Sequence, residues 1–313
     1  MSTPVTAVRA PRLMVVVAHP DDETFGCGSL LLHAAAAGAV TAVVCATRGE
    51  AGQIAPGSGA TVATLAEVRE QELRAAARLL GVSQVQLLDF TDSGMAGEAG
   101  PPTLVGAAFG EVRDQVRTAV DAFAPDVVVT LDASDGHRDH ARIRDATLAA
   151  VQDAAHRPDR VYLHCLPQSL MARWLQHMAE QQPGSQHLDI DVPGTPEELI
   201  TTVLDTTQLL GQRELAMAAH ATQTSPYEGL PPDLRREFLT AERLQRITPS
   251  WAGGPRECAI FGDHRLTFGD QSQQPGPGRR EQRRASPPGP PEPPLPPPPY
   301  LLRGLAGAPH LDP

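Results

Sequence analysis

Five short apolar runs punctuate the first half of the chain, at residues 14–17, 40–45, 85–88, 126–131 and 161–165. Between them lie stretches with the spacing of amphipathic helices, at 26–37, 64–80, 105–123 and 139–155. Each run is too short to be a helix and too continuously apolar to be a strand wetted on one face, so it fits a strand buried on both sides. Strict strand–helix alternation predicts an α/β fold with a Rossmann-like, mainly parallel sheet and flanking helices. Right-handed crossovers leave few topologies. In the order 3-2-1-4-5, strands one and four are neighbours, and their C-terminal loops flank the crevice where open α/β sheets take ligands.

Two dense polar knots follow those two strands. After the first run and Ala18 come His19, Pro20, Asp21, Asp22 and Glu23. Pro20 lacks a backbone donor and turns the chain off the sheet. After the fourth run come Asp135, Gly136, His137, Arg138, Asp139 and His140. Histidines three apart at a helix start lie about a turn apart on one face. One histidine from this knot, with His19 and one aspartate of the first knot, makes two imidazoles and a carboxylate. That donor set suits Zn2+, with Fe2+ as the alternative, and leaves a coordination position open for water. A carboxylate left over can act as general base, and a second histidine can stabilise an oxyanion or protonate a leaving amine. An acid beside that histidine can hold its tautomer.

The rest of the sequence is less specific. Thr24 is a candidate N-cap for the first helix, and Gly38 and Gly81 stop two helices. Beyond residue 166, helices are expected at 169–180, 196–221 and 233–243, with short strands at 188–192 and 257–261. Fourteen of the 31 prolines fall in 271–313. That tail cannot bury a core and is expected to be disordered or polyproline II. The expected division is a flexible 1–10, a single domain at 11–270, and the tail.

Composition excludes some function classes. A net charge of −11 does not suit a nucleic-acid phosphate backbone. No 18-residue apolar run predicts a membrane span, and residues 1–12 lack a signal peptide's apolar region. Cys27, Cys45, Cys165 and Cys258 form no CxxC pair and suit reduced thiols in a cytoplasmic protein. Cys27, close to the first knot, is assigned to packing rather than to ligation.

The stretch AHPDDETFGCG, followed about 115 residues later by GHRDH, resembles the LmbE/PIG-L family of zinc-dependent N-deacetylases, over roughly residues 11–262. The resemblance implies that His19, Asp22 and His140 bind the metal, Asp21 is the general base, protonated His137 stabilises the oxyanion, and Asp139 tunes His137. By likeness to the mycothiol-type deacetylases, Arg69, Asp92, Gln53 and His220 are implied as substrate contacts. The sequence departs from those enzymes at Gln53, where they carry glutamate, and at Asp135, where they carry tyrosine. The implied activity is hydrolytic removal of an acetyl or acyl group from an N-acylated amino sugar or its conjugate, a small-molecule substrate. Within the family, an amidase acting on a thiol conjugate is the alternative. Two other classes compete: a non-haem iron oxygenase, whose usual β-jelly roll the βα alternation disfavours, and a metal-binding scaffold without activity. Glu23 is expected to support the ligand loop.

Overall fold

The structure is a computed structural model and describes residues 9–181 and 192–261. A seven-stranded sheet runs through it in the order β3-β2-β1-β4-β5-β7-β6. The strands are β1 (Arg12–Val17), β2 (Val40–Cys45), β3 (Gln84–Leu87), β4 (Val127–Leu131), β5 (Arg160–His164), β6 (Thr202–Asp205) and β7 (Ala241–Thr248). The first five pair in parallel, in the order expected from the sequence. β7 joins β5 antiparallel, and β6 closes that edge antiparallel to β7.

Central β1 shows why its run is apolar at every position. Leu13, Val15 and Val17 pack on one face with Leu30 and Leu31 of α2 (Gly28–Ala36) and Leu73 of α3 (Leu65–Leu79). Met14 and Val16 pack on the other with Val112 and Val116 of α4 (Phe109–Phe123) and Ile143 of α5 (Arg138–Asp153). Side chains alternate across a strand, so a sheet covered by helices on both faces needs apolar residues at odd and even positions alike.

The first helix divides in two. α1 (Asp22–Phe25) is a single turn, and α2 starts after Cys27. Thr24 is therefore inside α1 and not a cap; Asp21 and Cys27 hold the N-cap positions. Cys27 is wholly buried in the core, in the packing role expected of it.

The C-terminal half departs further from expectation. A helix does follow β5, as α6 (Gln168–Gln181). The helix expected at 196–221 is a 3-10 turn (Glu197–Leu199), β6, a second 3-10 turn (Thr207–Leu209) and α7 (Leu210–Met217). The helix expected at 233–243 is α8 (Pro232–Leu239), which stops before β7. β7 reads AERLQRIT, rich in helix formers, but Glu242 and Leu244 are buried in alternation along an antiparallel strand, so tertiary pairing overrides propensity. The strand expected at 257–261 is reduced to an isolated bridge between Thr202 and Glu257. Residues 188–191 of the strand expected at 188–192, and the whole tail 271–313, lie outside the described residues. No helix among the described residues is long and apolar enough to cross a membrane.

Candidate metal centre and active site

β1 and β4 are neighbours, so the two knots meet at the C-terminal edge of the sheet. The first folds tightly on itself. Asp22 Oδ2 accepts from the backbone N–H groups of His19 (2.8 Å) and Ala18 (3.2 Å). Asp21 takes φ 130°, a conformation that L-residues rarely adopt. It is fixed there by its own N–H, which donates to Glu23 Oε2 at 2.9 Å, and by its carbonyl, which accepts from Thr24 and Phe25. Glu23 is fully buried and accepts from the Thr24 hydroxyl as well. It holds the loop together, the support expected of it.

The second knot caps α5. His137 Nδ1 accepts from the Asp139 N–H at 3.1 Å. With Nδ1 used as an acceptor, the neutral ring carries its proton on Nε2. Burial and the neighbouring His19 and His140 push the His137 imidazole down to about 4. That shift runs against the protonated imidazolium expected at His137. The charge of Asp139 acts on His137, raising its imidazole against the downward pull of burial. The Asp139 carboxylate is turned to the other histidine, with Oδ2 3.1 Å from His19 Nε2, and accepts from the Ser93 N–H at 2.9 Å.

These contacts assign the ring nitrogens. His19 meets Asp139 through Nε2, which leaves Nδ1 facing Asp22 Oδ2 at 3.5 Å. His140 pairs through Nδ1 with Asp135 Oδ2 at 2.6 Å, which turns its Nε2 toward Asp22 Oδ1 at 3.3 Å. That Nε2 is buried and makes no hydrogen bond among the described residues. Each separation, one through each Asp22 oxygen, is close to the ligand–ligand edge of about 3.3–3.5 Å that metal–nitrogen and metal–oxygen bonds of about 2.0–2.2 Å give. The described residues therefore hold a His/Asp cluster fit for a metal ion. His137 lies within the same reach, the ring nitrogens of His19, His137 and His140 falling within 4.8 Å of one another; His19, Asp92 and Asp139 make a second close set.

Electrostatics match this packing. Against burial, which lowers it, Asp135 and Asp22 push His140 up to about 10, and Asp92 and Asp139 hold His19 well above the usual imidazole range. Burial and the charge of Asp22 raise Asp21 to about 7, against the pull of Arg69, His220 and His19.

Two cavities open on the site. A cleft of about 700 Å³ is lined by His19, Arg69, Asp92, His137 and Gln53, among others. Arg69 donates to the carbonyls of Gly49 (2.7 Å) and Gln53 (2.9 Å), and Asp92 Oδ1 accepts from Gly94 N–H at 2.7 Å. Three of the four expected substrate contacts thus border one cleft. His220 does not. It is 2% exposed and sits behind the loop, with Nε2 2.9 Å from Glu23 Oε1. The second cavity, of about 150 Å³, is lined by apolar side chains such as Phe25, Leu131, Met171 and Trp174. Asp21, Asp22 and His140 border both.

In the sequence Asp135 opens the second knot and departs from the tyrosine of the mycothiol-type enzymes, with no role attached to it. The structure makes it the carboxylate that orients His140 and, through Oδ1, accepts from the His137 N–H at 3.0 Å. Its position five residues before His140 was the available signal. Arg138 was not singled out at all. Its guanidinium donates to the carbonyls of Ser93, Gly94, Ala96 and Gly97 and ties the Asp92 loop to the start of α5.

Residues 14–151 match the family described as PIG-L: GlcNAc-PI de-N-acetylase. A 1D-myo-inositol 2-acetamido-2-deoxy-alpha-D-glucopyranoside deacetylase of Streptomyces scabiei is 33% identical over 288 residues, covering 80% of this chain and 88% of that protein. Among solved structures, the N,N'-diacetylchitobiose deacetylase of Pyrococcus horikoshii superposes with TM-score 0.53 at 17% identity, covering 76% of this chain and 84% of that one. A teicoplanin deacetylase in a zinc-inhibited form gives TM-score 0.51 at 21% identity, covering 77% and 100%. At such identities these two likenesses show the shared fold.

Proposed function

This chain belongs to the PIG-L family of GlcNAc-PI de-N-acetylases, and from that premise we propose that it is a zinc-dependent hydrolase removing an acyl group from an N-acylated amino sugar or its conjugate. The observation that carries the reading is Asp21. It is a carboxyl raised to about 7, on a strained turn, beside the His19–Asp22–His140 cluster and at the border of both cavities. The S. scabiei relative is named for deacetylating such a sugar. Two imidazoles and a carboxylate are a donor set that zinc takes readily.

His19 through Nδ1, Asp22, and His140 through Nε2 would hold the ion. Bound there, zinc supplies Lewis acidity, polarising the amide carbonyl and lowering the pKa of water from 15.7 to about 7. The chain's own groups do the rest. Asp139 and Asp135 fix the tautomers of His19 and His140. Asp21 takes a proton from the attacking water. His137, neutral with its proton on Nε2, donates a hydrogen bond to the oxyanion as it forms. A ring already neutral has no spare proton to give, so Asp21 passes its proton on to the leaving amine. Arg69, Asp92 and Gln53 in the wide cleft are placed to bind sugar hydroxyls. His220 acts from behind, through Glu23.

The four cysteines are free thiols, which suits a reducing cytoplasm. The decisive experiment incubates zinc-loaded protein with N-acetylglucosaminyl conjugates and follows loss of an acetyl mass by mass spectrometry. Turnover by wild type, cut about 10²–10⁴-fold in Asp21→Asn, is expected. Equal turnover by the two would sink the assignment.

A further inference from the structure

The small cavity beside the metal cluster is built unlike the wide one. Its walls come from elements distant in sequence: Phe25 of α1, Leu131 at the end of β4, Met171 and Trp174 of α6, Tyr227, and Phe238 of α8. Each is at most 7% exposed. Five of them belong to an apolar cluster separate from the two that face the sheet. The polar tips of both large aromatic residues are already occupied. Trp174 Nε1 donates to the Pro226 carbonyl at 3.2 Å, and the Tyr227 hydroxyl donates to the Phe25 carbonyl at 2.8 Å. The polar residues on the wall are paired too: His164 with Glu242, Asp132 with Ser134 and Thr195, and Asp135 with His140. A sugar's hydroxyl groups would find few free partners there. A hydrocarbon group would lose none.

An amide is planar, and its two substituents leave the carbonyl carbon in different directions. The carbon that reacts must sit beside Asp21, Asp22 and His140, and those three residues border both cavities. With the sugar on the nitrogen side in the wide polar cleft, the acyl side faces the apolar cavity. An acetyl group has only one methyl to place there. At about 150 Å³ the cavity matches the size of an apolar cavity that binds benzene.

We propose that the enzyme's preferred substrates carry an acyl group larger than acetyl, a straight chain of about six carbons or an arylacetyl, seated among Phe25, Leu131, Met171, Trp174, Tyr227 and Phe238. This rests on the deacylase reading above and narrows its substrate class. The reaction stays a hydrolysis. The amide C–N bond breaks, a C–O bond forms from water, and water's second hydrogen ends on nitrogen, giving a carboxylic acid and a free amino sugar.

The test uses full-length zinc-loaded enzyme and a series of N-acylglucosamines from acetyl through octanoyl, with phenylacetyl. Burial of each methylene is expected to raise kcat/KM about threefold to fourfold until the cavity is full. Independently of turnover, hexanoate or phenylacetate should change the tryptophan fluorescence, and Trp174→Phe should remove that change. Met171→Trp, which narrows the cavity, should cut the hexanoyl-to-acetyl activity ratio at least tenfold; should that variant not fold, Leu166→Phe, at another residue of the cavity wall, makes the same test. Hydrolysis with no gain beyond acetyl, together with unresponsive fluorescence, overturns the inference and leaves the deacylase reading intact. No hydrolysis of any member overturns that reading and the inference with it.

Discussion

Asp21 holds a backbone conformation that costs of order 1–3 kcal/mol for a residue other than glycine. The loop around it enforces that cost, since Glu23 binds the Asp21 N–H and is itself tied to His220. Asparagine tolerates positive φ better than most residues, so Asp21→Asn should keep the fold and the metal. Activity should drop about 10²–10⁴-fold. Metal analysis beside steady-state kinetics checks it; loss of metal equal to that of His19→Ala would show that base and ligand roles are exchanged. The histidines make a second prediction. Without metal, His140 is pushed up to about 10 and His19 is raised, so both rings are charged at neutral pH. A metal takes neutral imidazole, so loading must expel protons. Affinity should therefore rise with pH from 6 to 9. Calorimetry in buffers of different ionisation enthalpy counts the protons released, and a pH-independent affinity would refute the protonated apo site. His19 and His140 could be picked out in the sequence. Which nitrogen each would offer could not, because that depends on Asp139 and Asp135 reaching across a turn or a strand.

At the level of elements, the start of α5 carries more than its histidines. Asp135 precedes the helix and orients His140. Partners of metal-bound histidines typically matter 10–100-fold in affinity, so Asp135→Ala should weaken zinc binding by about that factor in a chelator competition. Arg138 ties α5 to the 93–97 loop through four carbonyls. Arg138→Ala frees the loop that carries Asp92 while leaving the ligands alone. KM should rise on the order of tenfold with zinc content unchanged; a drop in zinc content instead would place Arg138 in the metal site's support. The sequence marks Asp135 only as a member of the second knot, not as the partner of His140, and an arginine in a helix's first turn is an ordinary surface choice. The edge strands were hidden for a related reason. β7 owes its conformation to β5 and β6 on either side, and its own residues favour a helix.

Across the whole molecule, a buried ionic network joins the C-terminal strands to the first knot. Glu242 on β7 meets Arg213 of α7 (3.4 Å) and His164 at the end of β5 (3.3 Å), and Arg213 reaches on to the Phe25 and Gly26 carbonyls. Burial pushes the Glu242 carboxyl up, but Arg213 and His164 outweigh it and hold it below its usual value. A depressed carboxyl contributes stability above its unfolded value of about 4.3 and loses it as pH falls through the folded value. Stability of wild type should thus fall as pH drops below about 4.3, and Glu242→Gln should flatten that limb while lowering stability at pH 7. Denaturant unfolding at several pH values checks it, and parallel limbs would refute it.

The sequence by itself determined the parallel core of the sheet and the meeting of the two knots. Both follow from local periodicity and from chirality rules that act on any chain of this pattern. It also marked His19, Asp21, Asp22, His137 and His140, because so many charged groups at strand ends have few other uses. Tertiary structure alone decided the turn of Asp139 toward His19, the withdrawal of His220 behind Glu23, the downward push on the His137 imidazole and the apolar cavity. Each depends on residues far apart in the chain arriving within a few ångströms. Hydrogen bonds and desolvation act over that distance, whatever the separation in sequence.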